Sequence, residues 1–347
     1  MSPGPSQAPI VACQTGALAG QLWRILAPQS WPVPLEALPP GTVLVGGAVR
    51  DALLGRLAPR PDLDLVVQYD AVELARSLAR RLGGAVVVLD QERSIARLVL
   101  HGWTIDLARC LGANLRDDLL RRDYSANAIA LPLPAARRAP SAARDLSGDL
   151  LDPSGGLADL AAGQLRAISE ANLLDDPLRL LRGMRLACEL GFRIETNTAA
   201  WIRQHHHQLQ TVAGERILAE LERLAAAPDG AAGLALTVAS GLLEGWRGSQ
   251  APQDTAAPSQ DGGLLARLGS LTPGEATGRG LSPAETEQAL PLARLAAVID
   301  GDGLARLHAS RRRQQAVERL RQWWERLAAV GGDPERLPEP ERVLLQR

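Results

Sequence analysis

Asp62 and Asp64 stand two residues apart at the head of the run DLDLVV, and Gly46-Gly47 closes an earlier apolar run, VLV. In a strand, residues i and i+2 point to one face, so the two carboxylates lie side by side, which is costly unless a cation sits between them. Two glycines let backbone N–H groups approach a phosphate with no Cβ in the way, and a helix expected from Ala48 adds its dipole. Arg50 and Asp51 fall in its first turn. A phosphate cradle beside metal-binding carboxylates points to phosphoryl or nucleotidyl transfer. Taken singly, a Gly-Gly is an ordinary turn and an Asp-x-Asp an ordinary solvated strand edge. Their strand–helix–strand order is what joins them into one motif.

Further along the chain, other polar residues fit the same chemistry. Asp106 lies inside the apolar run WTIDL, where a charge is expensive unless paired or metal-bound, although an exposed edge-strand position explains it equally well. If its strand adjoins the one carrying Asp62 and Asp64, three carboxylates converge, enough for two Mg²⁺ ions. Arg121, Arg122, Asp123 and Asn127 set fork donors, an acceptor and an amide near one expected helix start, a group able to hold a ribose and its phosphates; ordinary capping is the competing account. Asp176 and Arg179 share one helical face, with Arg182 and Arg185 following at intervals of three. Such a pair is commonly a surface ion pair, but its acceptor–donor pattern also matches the edge that C and A present.

Several elements must position these groups. Periodicity predicts a helix over 17–26, strands over 43–45 and 63–67, and helices over 48–54 and 71–82. On the latter, Leu74, Leu78 and Leu82 form a stripe. Strands are expected over 85–89, 96–100 and 104–107, giving a small mixed sheet covered by helices, an α+β nucleotide-binding head. Residues 135–147 read as a turn, and Gly155-Gly156 precedes a short helix. Asp175, Asp176 and Pro177 signal the start of a helix that Gly191 ends. Helices follow over 215–224, 231–243, 282–299 and 310–330, the last carrying Trp323 and Trp324 as either an RNA-backbone surface or a core-packed face. The 247–263 stretch is a polar Pro/Gly/Ser-rich insertion. The expected division is 1–40 as an N-terminal extension, 41–150 as head, 151–228 as neck, and 229–347 as body and tail.

Composition narrows the class. The 347 residues are long enough for two or three domains, hydrophobic content is 46%, and the net charge is −1. All 38 basic side chains are Arg, the better phosphate fork, although a coding bias accounts for that as readily. No apolar stretch reaches membrane-spanning length, no signal peptide is expected, and three scattered cysteines fit a reducing cytoplasm. His205–His207 fan out around a helix rather than converging on a metal.

In order, LVGGAVRDALLGR (44–56), DLDLVV (62–67), DLLRRDYSANAIA (118–130), LDPSGGLADL (151–160), DDPLRLLRGMRLACELGF (175–192) and ERILAEL (215–221) resemble the bacterial tRNA nucleotidyltransferase/poly(A) polymerase family, a class II branch of the polymerase-β-like nucleotidyltransferases. The likeness spans about residues 40–225. It implies a mixed-sheet head followed by an all-helical neck, body and tail. It also implies Asp62, Asp64 and Asp106 on Mg²⁺; Gly46, Gly47 and Arg50 on the triphosphate; and Arg122, Asp123 and Asn127 on the ribose. Asp176 and Arg179, with Arg182 nearby, would read the base of an incoming CTP or ATP. The implied partner is the 3′ end of tRNA, with no membrane and no protein partner.

Three departures bear on specificity. The base-reading motif opens Asp175-Asp176 where relatives usually have Glu-Asp, and Arg60-Pro61 precedes Asp62 where many relatives have a basic residue directly before the Asp. Only LARCLGANLRDD separates Asp106 from the next motif, a shortening associated in the family with CC addition. The leading expectation is an Mg²⁺-dependent enzyme adding C, A or both to tRNA; the alternatives are a poly(A) polymerase of the same fold and a catalytically silent RNA-binding relative.

Overall fold

The computed structural model describes residues 15–133, 150–247, 268–269, 271–278, 280–331 and 334–339. The turn expected over 135–147 lies outside these residues, as does the 247–263 insertion apart from Arg247. By contact, the chain divides into two compact units, Met1–Asn172 and Leu173–Arg347.

The first unit is built on six strands: β1 (Val43–Val45), β2 (Leu63–Val67), β3 (Ala85–Asp90), β4 (Ile95–Leu100), β5 (Trp103–Arg109) and β6 (Ala130–Pro132). Their order is β3-β4-β5-β2-β1-β6, with β2 and β5 parallel and the other neighbours antiparallel. Centrally placed β1 and β2 are nearly all apolar because both faces are covered; the edge strand β3 is largely exposed. Val43, Val45, Val66, Leu119, Ala128 and Ala130 pack as one cluster.

Helices α1 (Thr15–Leu26), α2 (Gly47–Leu53) and α3 (Ala71–Leu82) belong to this unit. Asp70 caps α3 by accepting from Val72 N–H at 2.9 Å and Glu73 N–H at 3.1 Å, and Gly83 ends it in the left-handed conformation. The buried face of α3 is Ala71, Val72, Ala75 and Leu78, so the expected leucine stripe holds at Leu78 while Leu74 and Leu82 are only partly covered. Small residues let the helix lie close to the sheet.

Downstream, α4 (Leu115–Leu120) comes before the Arg121–Asn127 group, not after it; the group occupies the helix exit and a 3₁₀ turn at Ser125–Asn127. After α5 (Gly156–Ala161), α6 (Glu170–Asp175) ends where a helix start was expected. Asp176 is a bend, Pro177 caps, and α7 runs Leu178–Leu190. Proline at a helix start fits either boundary, and the apolar residues of both helices fed one pattern.

In the second unit, α7 packs against helices Gly214–Ala226 and Gly230–Ala239. Arg185 donates to Glu220 at 2.6 Å and to Glu189 at 2.7 Å. Burial works against the Arg185 charge, but the two carboxylates outweigh it and hold its pKa above the usual guanidinium value. Helices Pro283–Val298 and Arg311–Ala329 follow, the first with a Ser282–Glu285 capping box.

Candidate functional site

Parallel pairing of β2 and β5 sets Asp64 directly beside Asp106, which brings together two of the three expected carboxylates. Asp62 lies just before β2 and is exposed. Gly46 has φ 77°, and a Cβ there would run into the Asp64 carboxylate, so only glycine leaves room at that oxygen. Hard carboxylate oxygens suit a divalent cation that takes its remaining ligands from phosphate.

The third carboxylate is differently engaged. Arg97, opposite Asp106 in the antiparallel β4–β5 pair, forks it: Nε to Oδ1 and Nη2 to Oδ2, each at 2.8 Å. That hydrogen bond, with the more distant charges of Asp62 and Asp64, raises the Arg97 pKa. No set of three or more His, Cys, Asp or Glu is arranged to hold a metal among the described residues. Sequence reasoning missed Arg97, although a hairpin turning at His101-Gly102 pairs residues whose numbers sum to a constant, and 97 falls opposite 106.

Arg50 and Asn127, 77 residues apart, meet: Arg50 Nη1 donates to Asn127 Oδ1 at 2.7 Å while Nε and Nη2 fork Asp51. The two residues expected on triphosphate and ribose thus contact each other, both buried. With Oδ1 turned to Arg50, Asn127 keeps its two amide donors for a ligand. Asp123 is buried and accepts from Tyr124 N–H at 2.8 Å; Arg122 donates to Asp118 at 3.3 Å, and its Nε is buried without a partner among the described residues.

A scaffold behind this turn comes from LDPSGGLADL. Asp152 accepts from Gly156 and Leu157 N–H, and Asp159 receives the Ser125 hydroxyl at 2.5 Å and Arg166 at 2.7 Å. Asn172 donates to the carbonyls of Leu120 and Arg122 at 2.7 Å, fixing the backbone of the Arg122 turn. These two clamps, Asp159 and Asn172, join residues too distant in sequence for spacing to reveal.

Within the second unit, Asp176 accepts from Leu178 N–H at 3.3 Å and from Arg216 at 2.7 Å. Arg179 and Arg182 follow on α7, both partly exposed. A cavity of about 560 Å³ opens elsewhere in this unit, lined by Met184, Cys188, Phe192, Ile194 and Leu236 among others. Burial pushes the Cys188 thiol up to about 11, away from the thiolate form.

Residues 42–166 match the poly A polymerase head domain, and residues 191–246 match the probable RNA and SrmB-binding site of polymerase A. A CC-adding tRNA nucleotidyltransferase of Synechocystis sp. is 41% identical over 63% of this chain and 50% of its own length. A CC-adding relative from Geobacter sulfurreducens is 38% identical over 78% and 62%, and an A-adding one from Deinococcus radiodurans 40% over 61% and 46%. The chain thus spans about half to three-fifths of these relatives' length. A tRNA nucleotidyltransferase crystallised with a primer tRNA and an ATP analogue shares the fold, with TM-score 0.64 and 24% identity over 88% of this chain and 87% of that one.

A mixed-sheet head with a helical C-terminal unit is the class of fold. The chain belongs to the tRNA nucleotidyltransferase/poly(A) polymerase family.

Proposed function

We propose that this protein is a template-independent nucleotidyltransferase that adds C, A or both from CTP and ATP to the 3′ end of tRNA. The observation that carries the reading is Asp64 beside Asp106 in the β2–β5 register, with the Gly46 turn packed against the Asp64 carboxylate. The RNA 3′-hydroxyl oxygen attacks the α-phosphorus in line, the bond to the β,γ-diphosphate breaks, and pyrophosphate leaves. Asp62 and Asp64 would hold a divalent cation, Mg²⁺, which when bound offsets phosphate charge and lowers the pKa of the attacking hydroxyl.

This chain's own groups do the positioning. Gly46 and Gly47 present backbone N–H groups to the triphosphate. Arg50 fixes Asn127 so that the Asn127 amide, with Asp123 and Arg122, orients the ribose. Asp176 and Arg179, with Arg182, read the base edge. Only residues 110–114 connect β5 to α4, and this short link, with the CC-adding relatives above, favours C addition. No helix among the described residues is long and apolar enough to cross a membrane, and a tRNA substrate puts the enzyme in the cytoplasm.

The test offers purified protein and Mg²⁺ with tRNAs ending in the discriminator base, C or CC, each labelled NTP added separately. C incorporation alone identifies a CC-adding enzyme, and a single A on a CC end an A-adding one. Long A tracts, or bound tRNA with no incorporation, overturn the proposal in favour of a poly(A) polymerase or a silent relative.

A further inference from the structure

Asp106 stands beside Asp64, yet both its oxygens are already taken by Arg97, at 2.8 Å each in a two-pronged fork. The geometry is fixed from the backbone. Arg97 and Asp106 are register partners in a hairpin whose turn residues, His101 and Gly102, have φ 50° and 79°, the left-handed pair of a type I′ turn. A guanidinium held there places one positive charge beside a row of carboxylates that would otherwise repel one another. It also satisfies a half-buried carboxylate without any metal. The Arg97 side chain is 43% exposed, against 23% for Asp106, so the fork opens toward water rather than into the core.

We propose that Arg97 is a positioning residue that occupies the third carboxylate in place of a metal, so that cation and Arg97 compete for Asp106. Without nucleotide, the chain binds a divalent cation through Asp62 and Asp64 alone. Asp106 becomes available only when Arg97 lets go. This rests on Asp62 and Asp64 being the metal ligands. A cation sharing Asp106 would lie beside the guanidinium that already forks it, and like charges repel.

Mn²⁺ titration of the nucleotide-free full chain, followed by the electron paramagnetic resonance of the free ion, tests it. Arg97→Gln should tighten Mn²⁺ binding by about tenfold or more. Asp106→Asn in that background should remove the gain, whereas Asp106→Asn alone should change affinity by less than about twofold. Arg97→Lys, which keeps a charge but not the fork, should fall between. Unchanged or weaker binding in Arg97→Gln overturns the proposal, as does Asp106→Asn weakening the parent and the Arg97→Gln protein equally. Asp64→Ala should abolish binding in every background. If it does not, the ligand assignment fails instead, a result separable from failure of the competition.

Discussion

Within residues 1–172, Asp118, Asp123 and Asp159 are buried, while Asp62 is exposed and Asp64 and Asp106 are half-buried. The buried three sit around the 118–127 turn, and each accepts from donors close by: Leu111 N–H, Tyr124 N–H, and the Ser125 hydroxyl with Arg166. Asp106 answers to one partly exposed arginine, and the Asp64 carboxylate lies so close to Gly46 that a side chain there would run into it. One group of acids is buried and engaged in building the turn; the other sits on the sheet, half-buried or exposed, where the proposed reaction would use it.

Substitutions can break that contrast. Asp64→Ala should lower nucleotide incorporation by on the order of 10³-fold while tRNA binding in a gel-shift assay stays near normal. Retained transfer would move Asp64 out of the reacting group. Asp159→Ala should do the reverse in kind, costing about 2 kcal/mol of stability in a denaturant titration by stranding Ser125 and Arg166. An unaltered midpoint would mean that the turn does not depend on this acid.

Smaller effects sharpen the picture. Arg179→Ala should reduce the CTP-to-ATP incorporation ratio, or its inverse, by roughly tenfold, and unchanged selectivity would remove α7 from base reading. The mildest effect belongs to Asp70, whose carboxyl is held below its ordinary value by the Glu73 N–H, then by Ser94. A depressed folded-state pKa stabilises above the unfolded value of 3.8 and is lost as pH falls through the lower one. Asp70→Asn should therefore flatten the acid limb of a stability–pH curve, and an identical limb would show the cap contributes nothing there.

Much of the head was legible because its signals are local. Strands 43–45 and 63–67 needed only apolar runs bounded by glycine, proline and charge, and helix 71–82 needed only its period and caps. The carboxylate pair Asp64–Asp106 was legible only as a condition, since spacing cannot say which strands adjoin. The Arg50–Asn127 contact was hidden for the same reason: each residue was assigned a ligand, and the fold gave them each other. The boundary at Asp175–Leu178 was missed because two short helices share one apolar rhythm, and only tertiary packing breaks it. Arg97 was overlooked because one charged residue on a half-exposed strand carries no signal until its hairpin partner is counted.

The two-residue His101-Gly102 turn gives the chain a dial that operates by length alone. β5 owes its alignment with β2 to a parallel pairing, whereas β4 owes its alignment with β5 to that turn. One residue inserted at the tip would slide Arg97 off its position opposite Asp106 while Asp106 stays beside Asp64. Neither side chain would be altered, yet their partnership would end. A change of length at this tip would thus retune the carboxylate row without touching any residue in it.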